Sequence, residues 1–520
     1  MAKSALIDEP KLNNTKIVDG DAGALLEIPH NTLQAGKTSA SLAAGSANPN
    51  LNANGTGGKL DRFFGITARG SNVRTEVMAG LTTFFASAFT ILTLPGMIAQ
   101  GEAQLANAVF IAAALAAAVG TFLKAFYAKL PFVQAPGMGL GSFFAFTVMP
   151  ALAIMAGNPD MSRIEMYQMG LAVVVVSGVI FSLLAFGGLR EKIVNGIPRN
   201  IKLALGSGIG LFITLLGLRQ SGIVVASAGT FVTMVNFGNF AANPTLVHGA
   251  LLSLFGFLVI AVLAARKVKG GILIGIISTA VLAYVTGHST LPEGFSFNLA
   301  QQWRDFLDIS FFRMNFTGPF AGGNTGAVAV ALTGMILVFL LVNMLDALGT
   351  IFGIASSAGM VDEKGEVIGL DKGLTADAVG TVTGGLFGAS TVTTVVSSAS
   401  GIGEGGRTGL TSATTGVLWI AALFFAPFVS LLPLVATAPA LIFVGCLMMA
   451  NIGKVDFSDL TEAIPAFLTI AMMPLTFSIA NGIAFGLISY IVLKVFTGRW
   501  REISPVALVI AALFVLQYVL

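Results

Sequence analysis

From residue 76 to residue 497 the chain passes through one apolar segment after another, each close to the length that crosses a bilayer. A hydrocarbon core about 30 Å thick takes about 20 helical residues to cross, and only helices and closed barrels satisfy their own backbone polar groups inside it. The pattern predicts an all-α polytopic membrane protein. Spans are placed at 76–98, 105–127, 132–153, 166–188, 199–218, 246–265 and 270–287. A second series follows at 328–356, 375–389, 390–405, 408–432, 436–453, 463–479 and 480–497, fourteen spans in all. Composition agrees, because only 10% of the 520 residues are charged, against about 25% in soluble domains.

Residues 1–57, rich in Ala, Gly, Asn, Ser and Thr, cannot bury enough apolar surface to order themselves and read as a disordered cytoplasmic tail. A transporter domain is expected over 58–500, and 501–520 carries a further apolar helix that either spans or lies on the membrane. A net charge of +3 without a basic, aromatic-interleaved cluster argues against a nucleic-acid partner. The single cysteine, Cys446, excludes an internal disulfide and a cysteine metal cage. His30, His248 and His288 are scattered and match no metal-ligand spacing. No ATP-binding Gly-rich motif or catalytic Ser, His or Cys constellation occurs, so no enzyme activity or cofactor is predicted and an ion gradient remains as the driving force.

One stretch departs from the helical pattern. Thr391 to Val396 is β-branched throughout, which favours extended backbone; Ser397 to Ser400 then offers helix caps, and the glycines from Gly401 to Gly409 make a bendable exit. Non-helical backbone survives at membrane depth only where protein or a water-filled cavity satisfies it, and transporters place substrate sites at such breaks. The alternative is a polar loop between two ordinary spans. Leu130 to Phe146 is the counterpart in the third span, with Pro131 and Pro136 discouraging helix before the Gly-rich break at Gly137 to Gly141.

Gly271 to Gly287 repeats in register as Gly482 to Gly498, in the seventh and fourteenth spans. Two duplicated halves of seven spans must be inverted relative to one another, since seven is odd. Chance likeness of two Gly-rich helices is the alternative. Lys124, Lys129, Arg190 to Lys202, Arg266 to Lys269 and Lys494 to Arg501 fall in loops on one side, whereas 220–245 has no Lys or Arg. That asymmetry places the N-terminus in the cytoplasm.

Few ionisable residues lie inside the spans. Asp346, deep in the eighth, costs several kcal/mol unless it works or is paired, so it is a functional candidate; a structural carboxylate held by a backbone donor or Arg407 is the alternative. Thr350 follows one turn later, on the same face. Glu404 and Arg407, at the exit of the tenth span, read as a gating ion pair, a proton relay or a plain surface pair. Asp377 is explained by helix capping, and Asp362 to Glu366 by a solvated loop. Phe144 sits just past the break in the third span, where a ring could stack on a planar solute.

Several longer stretches carry a resemblance: Asp61 to Ile66, Arg74 to Phe85, Ala135 to Leu140, Leu374 to Thr381, Glu404 to Leu410, Leu460 to Ile470 and Met473 to Ala480. They resemble the nucleobase–cation symporter family, in its azaguanine-type adenine/guanine/hypoxanthine permease branch. The resemblance covers residues 60–500 and implies the uracil-permease fold: fourteen spans in two inverted seven-span repeats, with short strands in spans 3 and 10. It further implies a core of spans 1–4 and 8–11, a gate of spans 5–7 and 12–14, and substrate held between the strands. By position it implies substrate contacts from Asp346, Thr350, Phe144, Gly141, Thr90, Val396, Ser397 and Ser398, with proton coupling or gating at Asp346, Glu404 and Arg407. Gly141 stands where that branch typically has Asn, and Ser397 where it has Glu. The implied activity is import of a purine nucleobase across the plasma membrane, coupled to H⁺, by a multi-pass protein for which a homodimer is compatible. A same-fold carrier of a pyrimidine, xanthine or small anion, or a non-transporting receptor, are the competing readings.

Overall fold

The computed structural model describes residues 58–519 apart from 187–192, 194, 291–297, 358–359 and 362–366. The N-terminal tail and the charged loop Asp362 to Glu366 therefore lie outside the described residues.

After a short helix at Lys59–Phe64, the first crossing is α1 (Val73–Ser87) running directly into α2 (Phe89–Ala99), followed by α3 (Ala103–Phe122). Strand β1 (Gln134–Pro136) opens α4 (Met138–Phe143), which passes through a widened turn into α5 (Met149–Met155). Next come α6 (Arg163–Phe186), α7 (Arg199–Gln220), the hairpin β2 (Val224–Ser227) and β3 (Phe231–Met234), α8 (Pro244–Ala265) and α9 (Gly271–Val285). The second half holds α10 (Thr325–Ser357), α11 (Leu370–Phe387), β4 (Val392–Thr394), α12 (Ser398–Gly403) and α13 (Gly409–Ala422). It closes with α14 (Leu434–Met448), α15 (Leu460–Leu475), α16 (Ile479–Phe496) and α17 (Pro505–Val519). Among the described residues 10 helical stretches are long and apolar enough to cross a membrane, and α9, α15 and α17 are shorter apolar helices.

Helix starts follow the local chemistry. Asn72, Asp459 and Ser478 each place a side-chain oxygen on a free N–H of the first turn of α1, α15 and α16. Packing falls into two sets. In one, α11 lies against α6 and α3, and α13 against α1 and α3; in the other, α7 lies against α14 and α15, and α8 against α9 and α14. Gly210 shows how closely α7 and α14 approach, since a β-carbon there would sit 2.7 Å from the Gly445 carbonyl oxygen. Helix α17 packs against both α10 and α16.

The two broken segments meet. β1 and β4 pair antiparallel, with Gln134 opposite Thr394, Ala135 opposite Thr393 and Pro136 opposite Val392. Gly137 N donates to Thr391 O at 3.1 Å and Val395 N to Val133 O at 3.1 Å, extending the ladder at both ends. β-branched residues thus satisfy in trans the backbone groups that a helix would satisfy within itself.

Candidate functional site

The strand crossing is held by buried charge. Lys124 of the third helix's extension and Asp377 of α11 form an ion pair at 2.9 Å with no exposed side-chain surface on either. Lys124 also donates to Gly373 O at 2.7 Å. Asp377 Oδ1 accepts from Thr394 N at 2.9 Å and from Thr394 Oγ1 at 2.8 Å, so the pair fixes β4 directly. Two sequence readings are corrected here. Asp377 is no helix cap but sits about two turns inside α11, and Lys124 is no topogenic loop charge. Lys494 is likewise drawn inward, between Glu462 at 3.0 Å and Glu502 at 2.7 Å. In each case a long cationic side chain buries its stem and finds a carboxylate contributed by another helix.

Glu76 is a further buried charge that sequence reasoning passed over, although it lies in one of the stretches carrying the resemblance. Its carboxylate accepts from Arg407 N at 2.9 Å, Thr408 N at 3.2 Å, Thr411 N at 3.3 Å and Thr411 Oγ1 at 2.6 Å. It therefore caps the start of α13 from α1, where the unsatisfied N–H groups and helix dipole favour an anion. Gln134 is wedged between α3 and α11, where β-carbons on Gly120 and Gly380 would lie 2.0 and 2.1 Å from its Oε1. Its carboxamide atoms have no partner among the described residues.

Beside the crossing runs an open surface. On α10, Asp346, Gly349, Phe352 and Gly353 are exposed, spaced so that they form one stripe from mid-helix toward the C-terminal end. Val396, Ala399, Ser400 and Gly403 are exposed on the segment that follows β4, and Ser397 is half-buried. No neighbouring atom lies within 4 Å of a β-carbon built on Gly349, Gly353 or Gly403, so these glycines border open space. Asp346 is the carboxylate at the inner end of that stripe, and among the described residues no hydrogen bond or ion pair to it is seen.

The other candidates are distributed differently. Thr350 is buried, so it does not share the exposed face of Asp346. Ser398 is buried and accepts from Val133 N at 3.0 Å, tying the start of α12 to β1. Thr90 is buried and donates to Ser87 O at 2.8 Å at the junction of α1 and α2. Phe144 has no exposed surface; its ring lies edge-on to Tyr167, with centroids 5.9 Å apart, and presses against Gly170 of α6. Its expected role as an open stacking platform is corrected, because the ring is enclosed in the packed interior by Tyr167 and Gly170 of α6. Gly141 is buried, with Leu94 of α2 occupying the room a side chain would need, 2.7 Å from a β-carbon there. Glu404 and Arg407 do not pair with each other. Glu404 reaches Lys269, in the join between α8 and α9, at 2.7 Å, and Arg407 donates to Ile402 O and Gly406 O. The histidines are not all scattered, since the His248 and His288 rings stand 5.1 Å apart.

Broken helices paired through two short strands thus lie beside an exposed carboxylate part-way along a membrane-length helix. The permease family matches residues 74–485. The chain belongs to that family. As a permease it is a membrane transport protein and not an enzyme. A protein of Methanocaldococcus jannaschii is 40% identical over 460 residues, 88% of this chain and 98% of that protein. An adenine permease of Escherichia coli is 36% identical over 470 residues, covering 89% and 97%. A guanine/hypoxanthine permease of Bacillus subtilis is 36% identical over 457 residues, covering 88% and 99%. Among solved structures, the transmembrane domain of a cyanobacterial bicarbonate transporter superposes with a TM-score of 0.55 at 17% identity, covering 79% of this chain and 97% of that one. That likeness speaks for the fold alone.

Proposed function

We propose that this permease imports a purine nucleobase such as adenine, guanine or hypoxanthine across the plasma membrane by proton symport. The relatives named for adenine and for guanine/hypoxanthine transport support the substrate class, each matching nearly its whole length. The observation that carries the mechanism is Asp346, an exposed carboxylate part-way along a membrane-crossing helix. Such a group costs several kcal/mol to keep ionised away from water, so it works best where it can exchange a proton with a water-filled cleft. On this reading the stripe from Asp346 to Gly353 is the cytoplasmic path, and the base lies against the exposed Val396, Ala399 and Ser400, with the half-buried Ser397 between them. Ser397 offers one hydroxyl, able to donate or accept, and the polar edge of the base is otherwise met by backbone groups at the ends of the paired strands.

The two packing sets serve as the moving parts, spans 1–4 and 8–11 as the core and the rest as the gate, with the fourteen spans arranged as two inverted repeats. The N-terminus is then cytoplasmic. An anion carrier of the same fold is disfavoured by Asp346 itself, which would repel the solute.

The test is uptake of radiolabelled adenine, guanine, hypoxanthine, uracil and bicarbonate by proteoliposomes with and without an imposed pH gradient. Gradient-dependent accumulation of a purine is expected, and Asp346→Asn should abolish the accumulation while leaving protein in the membrane. Transport of none of the purines refutes the substrate class, and normal pH-driven accumulation in the Asn variant removes Asp346 from coupling.

A further inference from the structure

His248 lies in the first turns of α8 and His288 just past the end of α9, at the membrane side opposite the Arg266–Lys269 join. Their rings stand with centroids 5.1 Å apart and planes 80° apart. Both residues are half-buried. The His288 ring is wedged against Gly249, where a β-carbon would sit 3.2 Å from its Cε1 and 3.4 Å from its Nε2. Its Nδ1 is buried with no hydrogen-bond partner among the described residues.

We infer that His248 and His288 form a two-imidazole binding site for a borderline transition-metal ion, of which Zn²⁺ is the representative. The separation suits chelation. With metal–nitrogen bonds of about 2.0–2.1 Å in the ring plane, each ring centroid lies about 3.2 Å from the metal, and a tetrahedral angle then sets the centroids about 5.2 Å apart. An edge-to-face ring contact occupies the same range of separations, but it gives the unpartnered imidazole nitrogen nothing to bind. Neutral imidazole is the ligand form. Water completes the coordination, since the described residues offer no cluster of three or more metal-ligating side chains. Imidazole ligation favours Zn²⁺, Cu²⁺ or Ni²⁺ over the oxygen-seeking Mg²⁺ and Ca²⁺. A bound ion would staple the start of α8 to the residues after α9, beside Val435 at the start of α14.

The experiment uses the full chain without a polyhistidine tag, in lipid nanodiscs washed with chelator, titrated with ZnCl₂ or MgCl₂ by calorimetry. One saturable Zn²⁺ site and no Mg²⁺ binding are expected. Outer-shell partners of metal ligands alone are worth roughly 10–100-fold in affinity, so His248→Gln and His288→Gln should each weaken Zn²⁺ binding at least about tenfold. His30→Gln should leave it unchanged. Monodisperse elution and retained substrate uptake establish that the variants are folded; should one fail, the other decides. Zn²⁺ affinity unaltered in either folded variant, or no Zn²⁺ binding by the wild-type chain at submillimolar concentration, overturns the site.

Discussion

Lys124→Met is the sharpest perturbation of the strand crossing. Methionine keeps the length and apolar stem of the lysine but removes its charge, leaving Asp377 fully buried with only the N–H and hydroxyl of Thr394 for compensation. Removing one partner of a buried pair costs about 3–5 kcal/mol, because the survivor's desolvation is no longer offset. The loss falls on β4 in particular, since Asp377 is the group that holds Thr394. Lys124→Met should therefore lower thermal stability in detergent and lower uptake at matched surface expression, as should Asp377→Asn. The double variant Lys124→Met/Asp377→Asn leaves no unpaired charge and should recover stability, with a coupling of about 1–3 kcal/mol in the double-mutant cycle. Thermal unfolding of all four proteins, followed by fluorescence-detected size exclusion, supplies the cycle. Additive losses, or a stable and active Lys124→Met protein, would show that the pair neither supports β4 nor needs its charge balanced.

Other outcomes follow from the same structure. Gly388 ends α11 with φ at +106°, and a β-carbon there would lie 2.1 Å from the Tyr167 hydroxyl oxygen, which donates to the Gly388 carbonyl. Gly388→Ala should combine backbone strain of about 1–3 kcal/mol with displacement of that hydroxyl, read as loss of monodisperse protein; normal expression and melting would dismiss the steric argument. At the ends of α15 and α16, hydrogen bonds from Arg499 hold Asp459 and Glu502 below their ordinary values of 3.8 and 4.5, with Thr461 and Lys494 assisting respectively. Lowered carboxylates contribute stability that is complete above those ordinary values and fades as pH falls through the lower folded ones. Melting temperature should thus drop below about pH 4.5 in the wild type and less steeply in Arg499→Gln, and parallel pH profiles would show that the cluster does not contribute.

The sequence by itself determined the class of molecule. Serial apolar segments, a low content of charge and two Pro/Gly-broken stretches specify a polytopic membrane protein with non-helical backbone at two places, because a bilayer admits few other solutions. β-branching from Thr391 to Val396 was enough to foresee extended backbone there, since χ1 crowding acts within the residue itself. Helix starts such as Asn72 and Ser478 are equally local. What only the tertiary structure decided is which polar side chain meets which. Lys124 and Asp377 are 253 residues apart, and nothing in either neighbourhood separates a snorkelling loop lysine or a capping aspartate from two halves of a buried pair. His248 and His288 came together for the same reason, through helices whose relative rotation is set by packing. Phe144, which its own neighbourhood leaves free to face a cleft, is enclosed instead by Tyr167 and Gly170, contributed by a separate helix. Local preference fixes backbone geometry, whereas partner choice among buried polar groups is settled by contacts distributed over the whole fold.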